Sequence, residues 1–130
     1  MKVLLPFHLN KVGAGFPSPA TDYVEDDIDL NIHLIKNIPS TFLIRVQGKS
    51  MNKVGIHDGD LLIVDKSLNP KNCSTVIVNI NEELVVKTFI KENNQSFLAS
   101  GSREIEDKIN LTENPEILIW GVVTYVIHAL

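Results

Sequence analysis

From residue 41 onward, short apolar runs alternate with turn-forming residues, and this pattern predicts a β fold. The predicted strands are 41–46, 61–65, 76–80, 83–91, 96–99 and 117–127. The run 61–65 is continuously apolar, which indicates a strand buried on both faces. Asn81 and Glu82 form a tight turn between two strands, and Gly121 marks a bend or bulge. Several short strands separated by turns are typical of a compact, mainly β domain.

The segment 26–37 carries two hydrophobic periods at once. Ile28, Ile32 and Ile35 have helical spacing, whereas the series from Ile28 through Leu30 and Ile32 to Leu34 alternates as a strand would. We predict a short helix over 30–36.

The first 21 residues lack a sustained period and are rich in proline and glycine. Pro6, Gly13, Gly15, Pro17 and Pro19 favour an extended or mobile arm. A frayed terminus without any function would show the same lack of periodicity. The predicted organisation is therefore an N-terminal arm, 1–21, followed by one domain, 22–130.

Composition narrows the classes of function. The chain has 130 residues, enough for a single core, and a formal net charge of −4. An acidic chain has no electrostatic attraction to nucleic-acid phosphates, so protein partners are favoured over direct nucleic-acid contact. The longest apolar stretch, 117–127, is far shorter than the ~20 residues that span a bilayer, so we expect no membrane anchor. The single cysteine, Cys73, cannot form an internal disulfide, which fits a reducing cytoplasm.

The candidate chemistry lies in Ser50 and Lys87. Strand alternation places Lys87 on one face with Val85 and Phe89, and desolvation by such neighbours lowers the pKa of a lysine. A neutral lysine beside a serine is a general base beside a nucleophile. The more common explanation for such residues is that the serine belongs to a turn and that the lysine is a solvent-exposed charge on a strand.

Other assignments remain open on the residues alone. Any of four histidines could serve Ser50 as a base instead: His8, His33, His57 and His128. Asp58 and Asp60 belong to a turn and make no metal site without further ligands.

Several motifs together resemble a known family. They are GKSM at 48–51, GIHDGDLLIVD at 55–65, VVK at 85–87, AGFPSPA at 14–20 and WGVV at 120–123. In this combination the chain, from Gly13 onward, resembles the self-cleaving serine–lysine proteins of the LexA/UmuD type, peptidase family S24. Its amino-terminal segment is most similar to that of the UmuD-like members.

The resemblance implies a fold and a chemistry. The fold is a LexA/signal-peptidase-like β fold, and the chemistry needs no cofactor and no metal. By this resemblance Ser50 is the nucleophile and Lys87 the general base, and the backbone N–H groups of Lys49 and Ser50 stabilise the oxyanion. The scissile bond maps onto Ala14–Gly15.

The resemblance also implies a cellular setting. A homodimer would cut itself when a RecA filament activates it. The trimmed form would serve a UmuC-like Y-family translesion DNA polymerase in the cytoplasmic SOS response to DNA damage. A DNA-binding repressor is disfavoured because only 14 residues precede Gly15, too few for a helix-turn-helix unit. A non-catalytic dimeric module that regulates a polymerase remains the main alternative.

Overall fold

A computed structural model describes residues 2–8, 12–15, 24–101 and 108–130, with backbone only for His8 and for 24–26. The chain divides into two compact units, an N-terminal unit of residues 1–36 and a C-terminal unit of residues 37–130. The arm boundary predicted at residue 21 lies outside the described residues.

The N-terminal unit contains two paired strands and a short helix. Strand β1, Leu5–His8, runs antiparallel to β2, Val24–Ile28, and helix α1 is Leu30–Leu34. The Asp29 side chain caps the helix by accepting a hydrogen bond from the Asn31 N–H. The helix was predicted, but the β1–β2 pairing was not, because three consecutive acidic residues in β2 hide its alternation. Among the described residues, no helix is long and apolar enough to cross a membrane.

The C-terminal unit is built on one antiparallel sheet, which confirms the mainly β prediction. Seven strands lie in the order β3-β4-β9-β5-β6-β7-β8. Their bounds are Thr41–Arg45 (β3), Leu61–Asp65 (β4), Thr75–Ile80 (β5), Glu83–Glu92 (β6), Gln95–Ala99 (β7), Ile109–Asn110 (β8) and Leu118–Ile127 (β9). Two 3-10 turns, Ile38–Ser40 and Asn52–Val54, flank β3. Among the described strands of this unit, all but the two-residue β8 lie within two residues of their predicted positions.

Two tight hairpins set the register of the central strands. Asn81 and Glu82 join β5 to β6 with φ of 51° and 66°, and Asn93 and Asn94 join β6 to β7 with φ of 49° and 62°. Two successive residues with positive φ match the right-handed twist of the flanking strands. The first turn was predicted from sequence and the second was not.

The described part of the C-terminal unit contains two clusters of buried hydrophobic side chains. The first cluster comprises Val46, Met51, Ile56, Leu62, Val64 and Ile77, with Ile44, Val86, Trp120 and Val123 packed against it. The second cluster comprises Val76, Val78, Phe89, Leu98 and Val122, with Val85 among the side chains against it. Successive residues of β5 enter different clusters, as expected for a strand buried on both faces.

Strand β9 changes register near Gly121, which confirms the predicted irregularity. Its pairing with β5 shifts between Ile77 and Val78, opposite Gly121 and Ile119. A Cβ atom at Gly121 would lie 2.6 Å from Val64 Cγ1, so only glycine fits against β4 at this position.

Strand β6 lies between β5 and β7 but pairs with β7 over only part of its length. Glu83 to Thr88 pair with β5, whereas only Thr88 to Glu92 pair with β7. Among the described residues, the backbone from Glu83 to Lys87 therefore has no strand partner on the β7 side. We call this unpaired stretch of β6, residues 83–87, the free half-edge. The same residues line a cleft.

Asp65, at the end of β4, organises the start of the C-terminal unit. Its buried carboxylate accepts hydrogen bonds from Asn37 Nδ2 (2.8 Å), Ser40 Oγ (2.8 Å) and both the N–H (2.8 Å) and Oγ (2.6 Å) of Ser67. These donors, with Asn37 the largest contributor, hold the pKa of Asp65 far below its usual value.

Asp65→Asn should destabilise the C-terminal unit by about 2 kcal/mol, because an amide cannot accept from all of these donors. The carboxylate stabilises the fold above its unfolded pKa of about 3.9, and this contribution is lost as the pH falls through that value towards the folded pKa. Urea unfolding followed by Trp120 fluorescence at several pH values measures both effects. The variant should lose part of the acid dependence, whereas exposed Glu116→Gln should retain it. Equal acid dependence in wild type and Asp65→Asn would contradict this role.

Candidate active site

A cleft of about 420 Å³ lies in the C-terminal unit between the end of β3 and the first half of β6. One wall comes from residues 44–48 with Ser50 and Met51, and the other from residues 83–87. Three members of the first hydrophobic cluster line it (Val46, Met51 and Ile77), together with Ile44 and Val86, which pack against that cluster. Ser50 and Lys87, the two residues that the sequence predicted to act together, both line this cleft.

Ser50 is carried by a loop that follows β3. Val46 extends the strand, because its N–H donates to the Asp60 carbonyl (2.8 Å) and its own carbonyl accepts from the Gly59 N–H (2.8 Å). The chain then turns at Gly48, whose φ of 102° is one that side-chain-bearing residues rarely adopt. Ser50 follows in this turn with its side chain exposed.

A second turn, residues 56–60, is hydrogen-bonded to this loop and supports it. The Asp58 carboxylate accepts a hydrogen bond from the Gly48 N–H at 2.7 Å. Arg45 Nη1 donates to the Gly59 carbonyl at 2.9 Å. The sequence marked Asp58 only as a turn residue, but its carboxylate holds the backbone two residues before Ser50.

Asp60 fixes the supporting turn to the carboxyl-terminal residues. Its buried carboxylate accepts from the His57 N–H (2.8 Å) and contacts His128 Nδ1 (2.5 Å). The backbone hydrogen bond from His57, followed by the His128 side chain, lowers the pKa of Asp60. His57 and His128 lie with ring centroids 5.4 Å apart, and neither lines the cleft that holds Ser50.

The other two histidines belong to the N-terminal unit. His33 lies in helix α1 of the N-terminal unit. The side chain of His8 lies outside the described residues.

Lys87 lies half-buried on β6. It is directly opposite the fully buried Val76 of β5, and its same-face neighbours Val85 and Phe89 contact the second hydrophobic cluster. The predicted apolar flanks of Lys87 are therefore present. The amine of Lys87 contacts Ser100: Lys87 Nζ donates a hydrogen bond to Ser100 Oγ at 2.6 Å.

Ser100 is a site residue that the sequence analysis missed. The β6–β7 register pairs Thr88 with Ala99, so Ser100 occupies the next position, opposite Lys87, where β7 bends out of the sheet. Recognising Asn93 and Asn94 as a two-residue hairpin turn would have placed Ser100 beside Lys87 from sequence alone.

Backbone donors are available beside Ser50. Within the described ranges, the N–H groups of Lys49 and Ser50 donate to no protein acceptor, and the Lys49 carbonyl accepts from the Asn52 N–H at 3.2 Å. Unpaired N–H groups next to a nucleophile can bind the oxygen that becomes negatively charged during acyl transfer.

Ala14 and Gly15 lie in the N-terminal unit. Both are exposed and form a bend. Residues 16–20 of the motif that follows them lie outside the described residues.

Comparison with known proteins identifies the family. The peptidase S24-like family matches residues 6–124. The chain belongs to this family. It is 42% identical over 123 residues to the protein ImpA of Salmonella typhimurium, covering 95% of this chain and 83% of that protein. It is 34% identical over 121 residues to the protein MucA of Escherichia coli, covering 93% and 82%.

A shorter match extends to a repressor. The LexA repressor of Clostridium novyi is 36% identical over 85 residues, covering 65% of this chain and 42% of that protein. The recognition of an UmuD-like member of the S24 family from its motifs is therefore confirmed. The catalytic and cleavage-site residues remain predictions.

Gly48→Ala should lower the unfolding free energy by about 1–3 kcal/mol, because alanine is strained at this φ. The cost is conformational, since a Cβ atom there would meet nothing within 4 Å. Urea unfolding followed by Trp120 fluorescence measures it. Lys49→Ala, at the exposed neighbouring position, is the matched control and should change stability by less than about 0.5 kcal/mol. A Gly48→Ala protein as stable as this control would show that the loop does not depend on the glycine conformation.

Proposed function

We propose that this protein is a self-cleaving serine peptidase in which Ser50 and Lys87 form the catalytic dyad. The observation that carries the proposal is their shared position on one cleft in a chain of the S24 family. Ser50 Oγ attacks a peptide carbonyl while uncharged Lys87 Nζ accepts the hydroxyl proton. Lys87 then donates that proton to the leaving amine, and water hydrolyses the acyl-enzyme. The N–H groups of Lys49 and Ser50 stabilise the oxyanion.

The cleft is suited to an extended peptide. Among the residues that the structure describes, no strand pairs with the backbone from Glu83 to Lys87 on the β7 side, so this backbone can hydrogen-bond an added strand, a common mode of peptide recognition. The apolar lining below would receive a small side chain next to the scissile bond. A segment with alanine at that position, such as Ala14, fits these requirements.

We further propose Ala14–Gly15 as the bond that is cut, with release of residues 1–14. The bend is exposed, and Gly15 has open space around it. Attack requires the Ala14 carbonyl carbon to come within about 3–3.5 Å of Ser50 Oγ. The dyad could belong to the same chain or to a second copy, and a bound partner that favours this pose would accelerate the cut.

The trimmed protein is proposed to act in SOS mutagenesis. Its similarity to UmuD-like relatives supports a homodimeric accessory subunit of an error-prone, UmuC-like DNA polymerase in the cytoplasm. A RecA filament on single-stranded DNA is the proposed activator of cleavage. Neither role requires this acidic protein to contact nucleic acid itself.

Replacing either member of the dyad should stop self-cleavage. Intact mass spectrometry of the purified protein over time should reveal loss of residues 1–14 in wild type. In Ser50→Ala and Lys87→Ala the rate should fall by at least roughly 10²-fold, since acid–base catalysis alone contributes that much. Ser96→Ala, and Lys91→Ala on the same strand as Lys87, are the matched controls and should cut normally.

Each alternative result has a distinct meaning. Cleavage that persists in Ser50→Ala would contradict the dyad, and a product cut elsewhere would contradict the choice of Ala14–Gly15. Wild-type protein that stays whole even with activated RecA filaments would favour the non-catalytic interaction module.

The rate of self-cleavage should increase with pH. Only an uncharged amine can accept the Ser50 proton, and the uncharged fraction of an amine increases with pH, so the reaction should accelerate as the pH is raised above neutral. Single-turnover time courses at constant ionic strength measure the profile. A rate that is flat, or that rises and levels off near the pKa of histidine, about 6.5, would indicate a different base.

A further inference from the structure

The Lys87 amine is held by a side chain that lies outside the proposed dyad. Nζ donates to Ser100 Oγ at 2.6 Å, and Ser100 is half-buried where β7 leaves the sheet. The strand register makes this contact specific, because Val76, Lys87 and Ser100 occupy neighbouring positions across three strands.

The bend that carries Ser100 is anchored on both sides. Thr88 Oγ1, buried on β6, donates to the Gly101 carbonyl at 2.7 Å. The Gly101 N–H donates to Met51 Sδ at 3.2 Å, and Met51 is buried directly after Ser50. One short segment therefore contacts the strand that carries the base and the loop that carries the nucleophile.

We propose that Ser100 is a positioning residue that aims the Lys87 amine at Ser50, an inference that rests on the proposed dyad. An uncharged amine has two hydrogens and one lone pair. When one hydrogen is donated to Ser100 Oγ, rotation about the Cε–Nζ bond is restricted and the lone pair remains available for the Ser50 proton. Ser100 takes no part in bond making, and it does not line the cleft.

This hydrogen bond restrains a side chain that otherwise moves freely. Lysine has among the largest rotamer entropies of the side chains, and that freedom would spread Nζ over positions from which it cannot reach Ser50. Val76, Val85 and Phe89 occupy the neighbouring positions on the same face as Lys87 and offer nothing polar to its tip. Ser100 supplies that polar contact.

The kinetic test compares side chains of equal shape. Ser100→Thr keeps the hydroxyl. Ser100→Val introduces a side chain of nearly the same shape and volume as threonine but without a hydroxyl. Ser100→Val and Ser100→Ala should slow self-cleavage by roughly 10- to 100-fold, the loss expected for one hydrogen bond to a charged or reacting group. Ser100→Thr should cleave at close to the wild-type rate. Thermal unfolding, followed by circular dichroism, identifies any variant whose fold is lost.

A second measurement separates this proposal from the proposed function. In the Ser50→Ala background, where the chain stays whole, ¹³C relaxation of the Lys87 Cε group reports side-chain order directly. Lys87 should be ordered when Ser100 is present and should become as mobile as exposed Lys91 in Ser100→Val. Cleavage by Ser100→Val at the wild-type rate, or a Lys87 side chain that stays ordered in it, would overturn the proposal. Cleavage in Ser50→Ala alone would overturn the dyad while leaving the relaxation result interpretable.

Discussion

Strand β6 pairs with β5 from its first residue but with β7 only from Thr88 onward, and the site depends on this difference. If β7 continued alongside β6, its backbone would occupy the half-edge that faces the cleft. Instead β7 bends out of the sheet at Ser100, and Gly101 continues the bend with a φ of 85°. Within the described part of the chain, the first half of β6 is thus unpaired on the β7 side, and Lys87 lies at the last position before pairing with β7 begins.

The loop that carries Ser50, the proposed nucleophile, is held mainly by contacts with other parts of the C-terminal unit. Val46 and Gly48 are tied to the supporting turn 56–60, and Asp60 ties that turn to His128 near the carboxyl terminus. Met51 then buries itself in the first hydrophobic cluster directly after Ser50. Ser50 is exposed, yet the residues on either side of it are fixed. Such an arrangement limits the motion of a nucleophile without shielding it from a substrate.

Sequence reasoning predicted the strands well because alternation and turn residues are local signals. It also predicted that Ser50 and Lys87 act as a pair; both line one cleft, and their roles remain a prediction. It missed the β1–β2 pairing, since Glu25, Asp26 and Asp27 obscure any alternation in β2. It missed Ser100 for a different reason: 13 residues separate it from Lys87, and their contact follows only from the exact register of a hairpin whose Asn93–Asn94 turn had not been recognised.

Asp58 and Asp65 mark a further limit of sequence reasoning. Each is an ordinary turn or strand-end carboxylate in the sequence, and each becomes a hydrogen-bond acceptor for distant donors only once the chain has folded. Their donors include a backbone N–H ten residues away and an asparagine 28 residues away. Long-range polar contacts of this kind have no periodic signature, so they emerge only from the three-dimensional arrangement.

The most direct test of the dyad is covalent labelling of Ser50, the proposed nucleophile. A fluorophosphonate probe reacts with a serine hydroxyl that a neighbouring base has activated, and peptide mass mapping locates the adduct. We expect one adduct, on Ser50, formed faster at high pH and lost in Lys87→Ala. An adduct on Ser100 instead, or equal labelling of Ser50 in wild type and Lys87→Ala, would contradict the assignment of the dyad.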